Sequence, residues 1–190
     1  MKRILVTGAN KGIGLATVEN LLQNHPDTFL ILGSRDEKRG GEAVELLTSK
    51  EPKWADRLMM LAIDVSSEES VTMAAETVDS SFETEAKPLY GIINNAGIGS
   101  SSIGLEPTLQ VNTWGIHRVC EVFIPLLEAS GRIVNVTSAA GPNFVEAADD
   151  VTRTILTDPD VQWDAVEEYM NRCISESKDS ALTTSGLGNA

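Results

Sequence analysis

Apolar positions along this chain follow two alternating rhythms. Short, nearly unbroken apolar runs occupy Arg3–Val6, Phe29–Gly33, Leu58–Ile63, Leu89–Asn94 and Arg132–Val136. None alternates apolar with polar, the pattern of strands buried on both faces of a parallel sheet. Between these runs lie stretches with helical spacing, at Ile13–Asn24, Glu37–Ser49, Glu68–Phe82 and Thr108–Ala129. The last is apolar nearly all round, which predicts burial on several sides. Ser66-Ser67-Glu68-Glu69 resembles a capping box opening the third helix. Strand and helix in turn predict an α/β fold with helices on both sheet faces. After Ser138 the rhythm changes. Phe144–Leu156 and Trp163–Ser177 read as helices divided by Asp158-Pro159, and Ser180–Ala190 reads as a loop rich in small residues.

Composition narrows the picture. The 190 residues suit one domain, with 15 basic side chains against 28 acidic and a net charge of −13. That balance argues against nucleic acid or an anionic membrane as partner. Cys120 and Cys173 are far apart and match no metal or redox spacing, so two free thiols in a reducing, cytoplasmic setting are expected. Lys2-Arg3 precedes only a three-residue apolar run, too short for a signal peptide, and no run approaches a membrane span.

The chemistry begins at Thr7-Gly8-Ala9-Asn10-Lys11-Gly12-Ile13-Gly14. A glycine turn between a strand and a helix lets backbone approach a pyrophosphate at the helix N-terminus. Ser34-Arg35 close the second strand, where such folds read the ribose, and Arg39 lies one helical turn on. Three cations, Lys11, Arg35 and Arg39, in so acidic a chain favour a ribose 2′-phosphate, hence NADP(H) over NAD(H). Asp36 is the competing ligand for a ribose hydroxyl, one place late. Asp64-Val65 and Asn94-Asn95-Ala96-Gly97 fall at C-terminal strand ends, where open α/β sheets bind ligands.

Taken in order, Thr-Gly-x-x-x-Gly-x-Gly, Asp-Val, Asn-Asn-Ala-Gly, Asn112 and Ser138 resemble the short-chain dehydrogenase/reductase family over residues 1 to about 140. Gly-Ala-Asn-Lys-Gly-Ile-Gly, Ser-Arg-Asp-x-x-Arg-Gly and the long insert after Ser138 are similar to its monomeric carbonyl reductases. The resemblance implies a doubly wound Rossmann sheet of order 3-2-1-4-5, with 1–190 a single NADP-binding domain carrying a helical insert at about 144–178. It implies that Gly8, Asn10, Lys11, Gly12, Ile13 and Gly14 hold or flank the pyrophosphate. Ser34, Arg35 and Arg39 would take the 2′-phosphate, and Asp64 and Val65 the adenine. Asn95, Ala96, Gly97 and Val111 would line the wall beside the adenine ribose and nicotinamide.

The family's reaction is NADPH-dependent hydride transfer to aldehydes, ketones or quinones. By resemblance, Ser138 orients the carbonyl oxygen and Asn112 holds a water in the proton relay. The family's acid is a tyrosine in Tyr-x-x-x-Lys, and neither Tyr90 nor Tyr169 has lysine four residues on. Ser185–Ala190 looks like the loop that leads into that motif. The chain is therefore expected to be a C-terminally truncated reductase, its alternative being an inactive NADP-binding module. The complete protein is expected to be monomeric, and the short form to self-associate.

Overall fold

A computed structural model describes residues 1–82, 87–99 and 104–178. The chain divides into two compact units, Met1–Ile98 with Gln110–Val136, and Gly99–Leu109 with Thr137–Ala190.

The first unit is a five-stranded parallel sheet. Its strands are β1 (Lys2–Val6), β2 (Thr28–Ser34), β3 (Leu58–Ala62), β4 (Leu89–Asn94) and β5 (Leu127–Asn135), in the order β3-β2-β1-β4-β5. Central β1 sets Leu5 opposite both Ile31 and Ile92. The helices are α1 (Gly12–Asn24), α2 (Glu37–Lys50), α3 (Glu68–Ser81), α4 (Leu105–Asn112), which continues in from the second unit, and α5 (Trp114–Phe123). Alternate strand residues serve opposite cores, which explains the unbroken apolar runs. Leu5, Ile31 and Ile92 pack with Val71 and Val78 of α3 and Val119 and Phe123 of α5. Ile4, Val6, Leu30 and Leu32 pack with Val18 and Leu22 of α1 and Leu47 of α2. Burying each such side chain stabilises the fold by about 1.5–3 kcal/mol.

The long helix expected at Thr108–Ala129 does not form. α4 ends at Asn112, Thr113 turns out of helical geometry, and α5 starts afresh at Trp114. Each piece has its own seat. Asn112 is tied to Ile98, and Gly115 lies against Val65 where a Cβ would meet Val65 Cγ2 at 2.9 Å. A 3-10 turn at Ile124–Leu126, with Pro125 inside it, then ends the helix. Leu127, read as helical, lies in β5 opposite Leu89, serving the same core as Phe123. β5 is thus longer than the expected Arg132–Val136, and its register slips between Leu127 and Arg132. A 3-10 turn at Pro52–Arg57 had no counterpart in the sequence reading.

The capping box is also only half right. Ser67 caps α3 by accepting from Ser70 N, but the third helical residue is Ser70, so no glutamate returns the bond. In the second unit, the helix read at Phe144–Leu156 is two, α6 (Ala140–Ala147) and α7 (Asp150–Thr157). Ala148 ends the first, and Asp149 caps the second, accepting from the N–H groups of Val151 and Thr152. α8 (Trp163–Lys178) matches its expected span closely. The loop read at Ser180–Ala190 lies outside the described residues.

Candidate functional site

Thr7 follows β1 directly, with only 1% of its surface exposed. Its Oγ1 accepts from Asn95 N (3.1 Å) and Ala96 N (3.0 Å), at the end of β4. Asn95 returns the contact, its Nδ2 donating to Thr7 O (2.9 Å) and Gly8 O (3.2 Å). The glycine turn is therefore bound to the β4 loop across the sheet. Gly8 and Gly12 take positive φ, +63° and +57°. A Cβ on Gly14 would collide with the Asn95 amide and stand 2.7 Å from Gly8 O, whereas Gly12 has nothing within 4 Å. The turn is closed on its protein side and open on the other. α1 starts at Gly12 with no side-chain cap, leaving first-turn N–H groups for a ligand.

That open side is a cavity of about 360 Å³, within the usual range for small-molecule sites. Its wall brings together Gly8, Asn10, Lys11, Gly12, Ile13 and Gly14 from the turn and Arg35 from the end of β2. Asp64 and Val65 follow β3, Asn95, Ala96 and Gly97 follow β4, and Val111 comes from α4. Every strand contributing to it does so at its C-terminal end, as open α/β sheets require. Lys11 and Arg35 have no ion-pair partner among the described residues. The Asp64 carboxylate is aimed by its own turn, Oδ1 accepting from Ser66 N (2.9 Å) and Ser66 Oγ (2.6 Å). The glycine cradle, the uncapped helix start and the two unpaired cations fit the phosphates of a dinucleotide.

Ser34, Arg39 and Asn112 are not among the residues of this wall. Ser34 is buried, its Oγ donating to Asp36 O (2.8 Å). Arg39 pairs with Asp36, Nε to Oδ2 at 3.4 Å. Asn112 is a clamp, with Oδ1 accepting from Ile98 N and Nδ2 donating to Ile98 O, both at 2.9 Å. Ser138 belongs to the second unit, where it is exposed and its Oγ accepts from Ala140 N (3.2 Å). Tyr169 sits half-buried in α8, where burial, and then its hydrogen bond with Cys173, pushes its phenol up to about 12. Burial likewise raises the thiols of Cys120 and Cys173. Sequence reasoning missed the Thr7 clamp and two wall residues, Ile63 and Ile98. Each isoleucine is adjacent to a residue that was found, and that adjacency was the available signal.

Among the described residues no helix is long and apolar enough to cross a membrane, and no cluster of His, Cys, Asp or Glu could hold a metal. The family model for short chain dehydrogenase matches residues 2–148. Mitochondrial D-beta-hydroxybutyrate dehydrogenase of Bos taurus is 35% identical over 149 residues, covering 74% of this chain and 42% of its own length. Carbonyl reductase [NADPH] 1 of Rattus norvegicus is 27% identical over 195 residues, covering 98% of this chain and 66% of its own. The solved structure of menthone neomenthol reductase from Mentha piperita superposes with a TM-score of 0.85 at 25% identity, over 98% of this chain and 77% of that one. This chain thus spans less than half of the bovine relative and about two thirds of the rat one. Sheet order, glycine turn and strand-end cavity agree with these likenesses: the chain belongs to the short-chain dehydrogenase family.

Proposed function

We propose that this chain is the cofactor-binding part of an NADPH-dependent carbonyl reductase acting on aldehydes, ketones or quinones. The observation that carries the reading is the pair of cations, Lys11 and Arg35, unpaired on the cavity wall of a chain with net charge −13. Arg35 and Lys11 hold the 2′-phosphate, the α1 start and glycine turn the pyrophosphate, and Asp64 the adenine amino group. Bound NADPH supplies the hydride. Ile13, 71% exposed on the wall, gives apolar cover at the mouth. Ser138 donates to the carbonyl oxygen, as the family resemblance implies, and Asn112 keeps the loop after β4 in shape for the ring. The acidic composition and two free cysteines suit a cytosolic protein.

Calorimetric titration tests the cofactor assignment. NADPH is expected to bind about 10- to 150-fold more tightly than NADH, the worth of one charge-assisted contact, and Arg35→Asp to narrow or invert that ratio. Equal affinities in the wild type would sink the reading.

A second reading, a nucleotide-binding module without turnover, is favoured by the tyrosines. Neither is followed four residues later by lysine, and Tyr169 holds its proton to about pH 12. The 190-residue chain is expected to oxidise NADPH with a quinone or aldehyde at close to background rate, since a missing general acid costs about 10²–10⁴-fold. Robust turnover would overturn this, with Tyr169→Phe the next variant to assay.

A further inference from the structure

Two residues of the cavity wall, Val65 after β3 and Val111 in the last turn of α4, come from segments far apart in the chain. Packing alone leaves play between them. Behind the wall, Val65, Ala96 and Val111 meet Gly115 and Ile116 of α5 around a gap too small to admit water. Side chains lining such a gap forfeit dispersion contacts on that side, so the gap does not hold them firmly.

One polar side chain spans both segments. Arg118 of α5 donates through Nη1 to Gln110 O (3.2 Å) and, at longer range, to Val65 O (3.4 Å). Its Nη2 donates to Gln110 Oε1 (2.6 Å). Gln110 immediately precedes Val111, and its carbonyl lies in the last turn of α4, where carbonyls have no intrahelical partner. Gly115, one turn before Arg118, lets α5 come close against Val65. No carboxylate pairs with Arg118 among the described residues, so its fork serves neutral oxygens.

We infer that Arg118 is a positioning residue for the adenosine half of the cofactor, bracing the loop after β3 against the end of α4. The inference rests on the reading of the cavity as an NADPH site with its adenine beside Asp64 and Val65. Arg118 is not among the residues lining the cavity. It acts through Val65 and Val111, holding their segments in register before the ligand arrives. Without it, each binding event must order both segments, which weakens affinity although no contact to the ligand is removed.

Calorimetric titration of the purified chain with NADPH, and with adenosine 2′,5′-bisphosphate as the adenosine half alone, decides the matter. Arg118→Met keeps the stem and removes the donors. It is expected to weaken both ligands by the same factor, about 2- to 30-fold, the range by which residues beyond a ligand shift its binding. Gln110→Ala removes one acceptor from the brace and should give the same parallel loss, smaller in size, if Arg118→Met folds poorly. Arg57→Met is the control. Arg57 likewise donates to three carbonyls, those of Leu22, His25 and Thr28, at the end of α1 away from the glycine turn. Its loss is expected to lower the melting temperature and leave both affinities unchanged. A fall in the stability of Arg118→Met with no fall in affinity would overturn the inference. So would a loss for NADPH that the bisphosphate does not share, or an equal loss in Arg57→Met. The wild-type titration stands apart: failure to bind either ligand there defeats the reading of the cavity itself.

Discussion

At the scale of single residues, the glycine turn, Asp64-Val65 and Asn95-Ala96-Gly97 could be read from type and order because their chemistry is local. A turn needs glycine and a strand end needs a short acceptor, and both requirements show in the letters. The Thr7 hydroxyl was hidden for the opposite reason: its partners lie 88 and 89 positions away. Thr7→Val keeps shape and removes the acceptor, leaving the Asn95 and Ala96 N–H groups without it. Each unsatisfied buried donor costs about 1–3 kcal/mol, so this variant is expected to lose at least that much in urea denaturation. Thr7→Ser should retain most of the stability. If valine were as stable as threonine, the hydroxyl would not be the fastener described.

At the scale of elements, periodicity found α1, α2 and α3 but merged α4 and α5 into one helix and ran it on into β5. From Val119 to Leu127 the apolar spacing continues unbroken while the backbone changes from helix to 3-10 turn to strand. Helix and strand here press on the same core, so hydrophobic spacing could not separate them, and Pro125 was the only local mark. Asp149 hid another boundary, since an acid between two apolar stretches reads equally well as an exposed helical position. In α8, Tyr169 offers a pH test. Its phenol holds its proton up to about 12, against an ordinary value of 10.0, through burial and Cys173. The folded state binds this proton more tightly than the unfolded chain. Its contribution to stability is therefore complete below pH 10 and lost as pH rises through about 12. With Tyr90→Phe leaving one tyrosine, ultraviolet absorbance should show a phenolate forming near pH 12 with melting temperature falling over the same interval. Ionisation near pH 10 would contradict the burial argument.

At the scale of the molecule, strand order was legible from the alternation of elements and the family's order of motifs. Exposure was not. β5 has the composition of a buried strand, yet its Ile133 and Val134 are 38% and 51% exposed, and Val136 just after it is 43% exposed. β5 is an edge, paired with β4 alone among the described residues. An exposed apolar edge invites pairing with another chain. The 190-residue chain is expected to self-associate as concentration rises, and Val134→Lys to suppress this in sedimentation without lowering the melting temperature. A wild type that stays monodisperse at every soluble concentration would show that this edge is protected.

The seam between β1 and β4 has a consequence for biosynthesis. The chain makes β1, then β2 and β3 outward on one side, and only some 50 residues after β2 does β4 arrive to fill β1's other flank. A nascent chain on the ribosome therefore carries β1 as a bare apolar edge for several seconds at ordinary elongation rates of about 5–20 residues per second. Through that interval the glycine turn exists as sequence but lacks its far wall. Nucleotide in the cell cannot rescue an early intermediate, because the Thr7–Asn95 fastening and Val111 of α4 both come later in the chain. Ligand-assisted folding can act fully only once α4, with Val111, has left the exit tunnel.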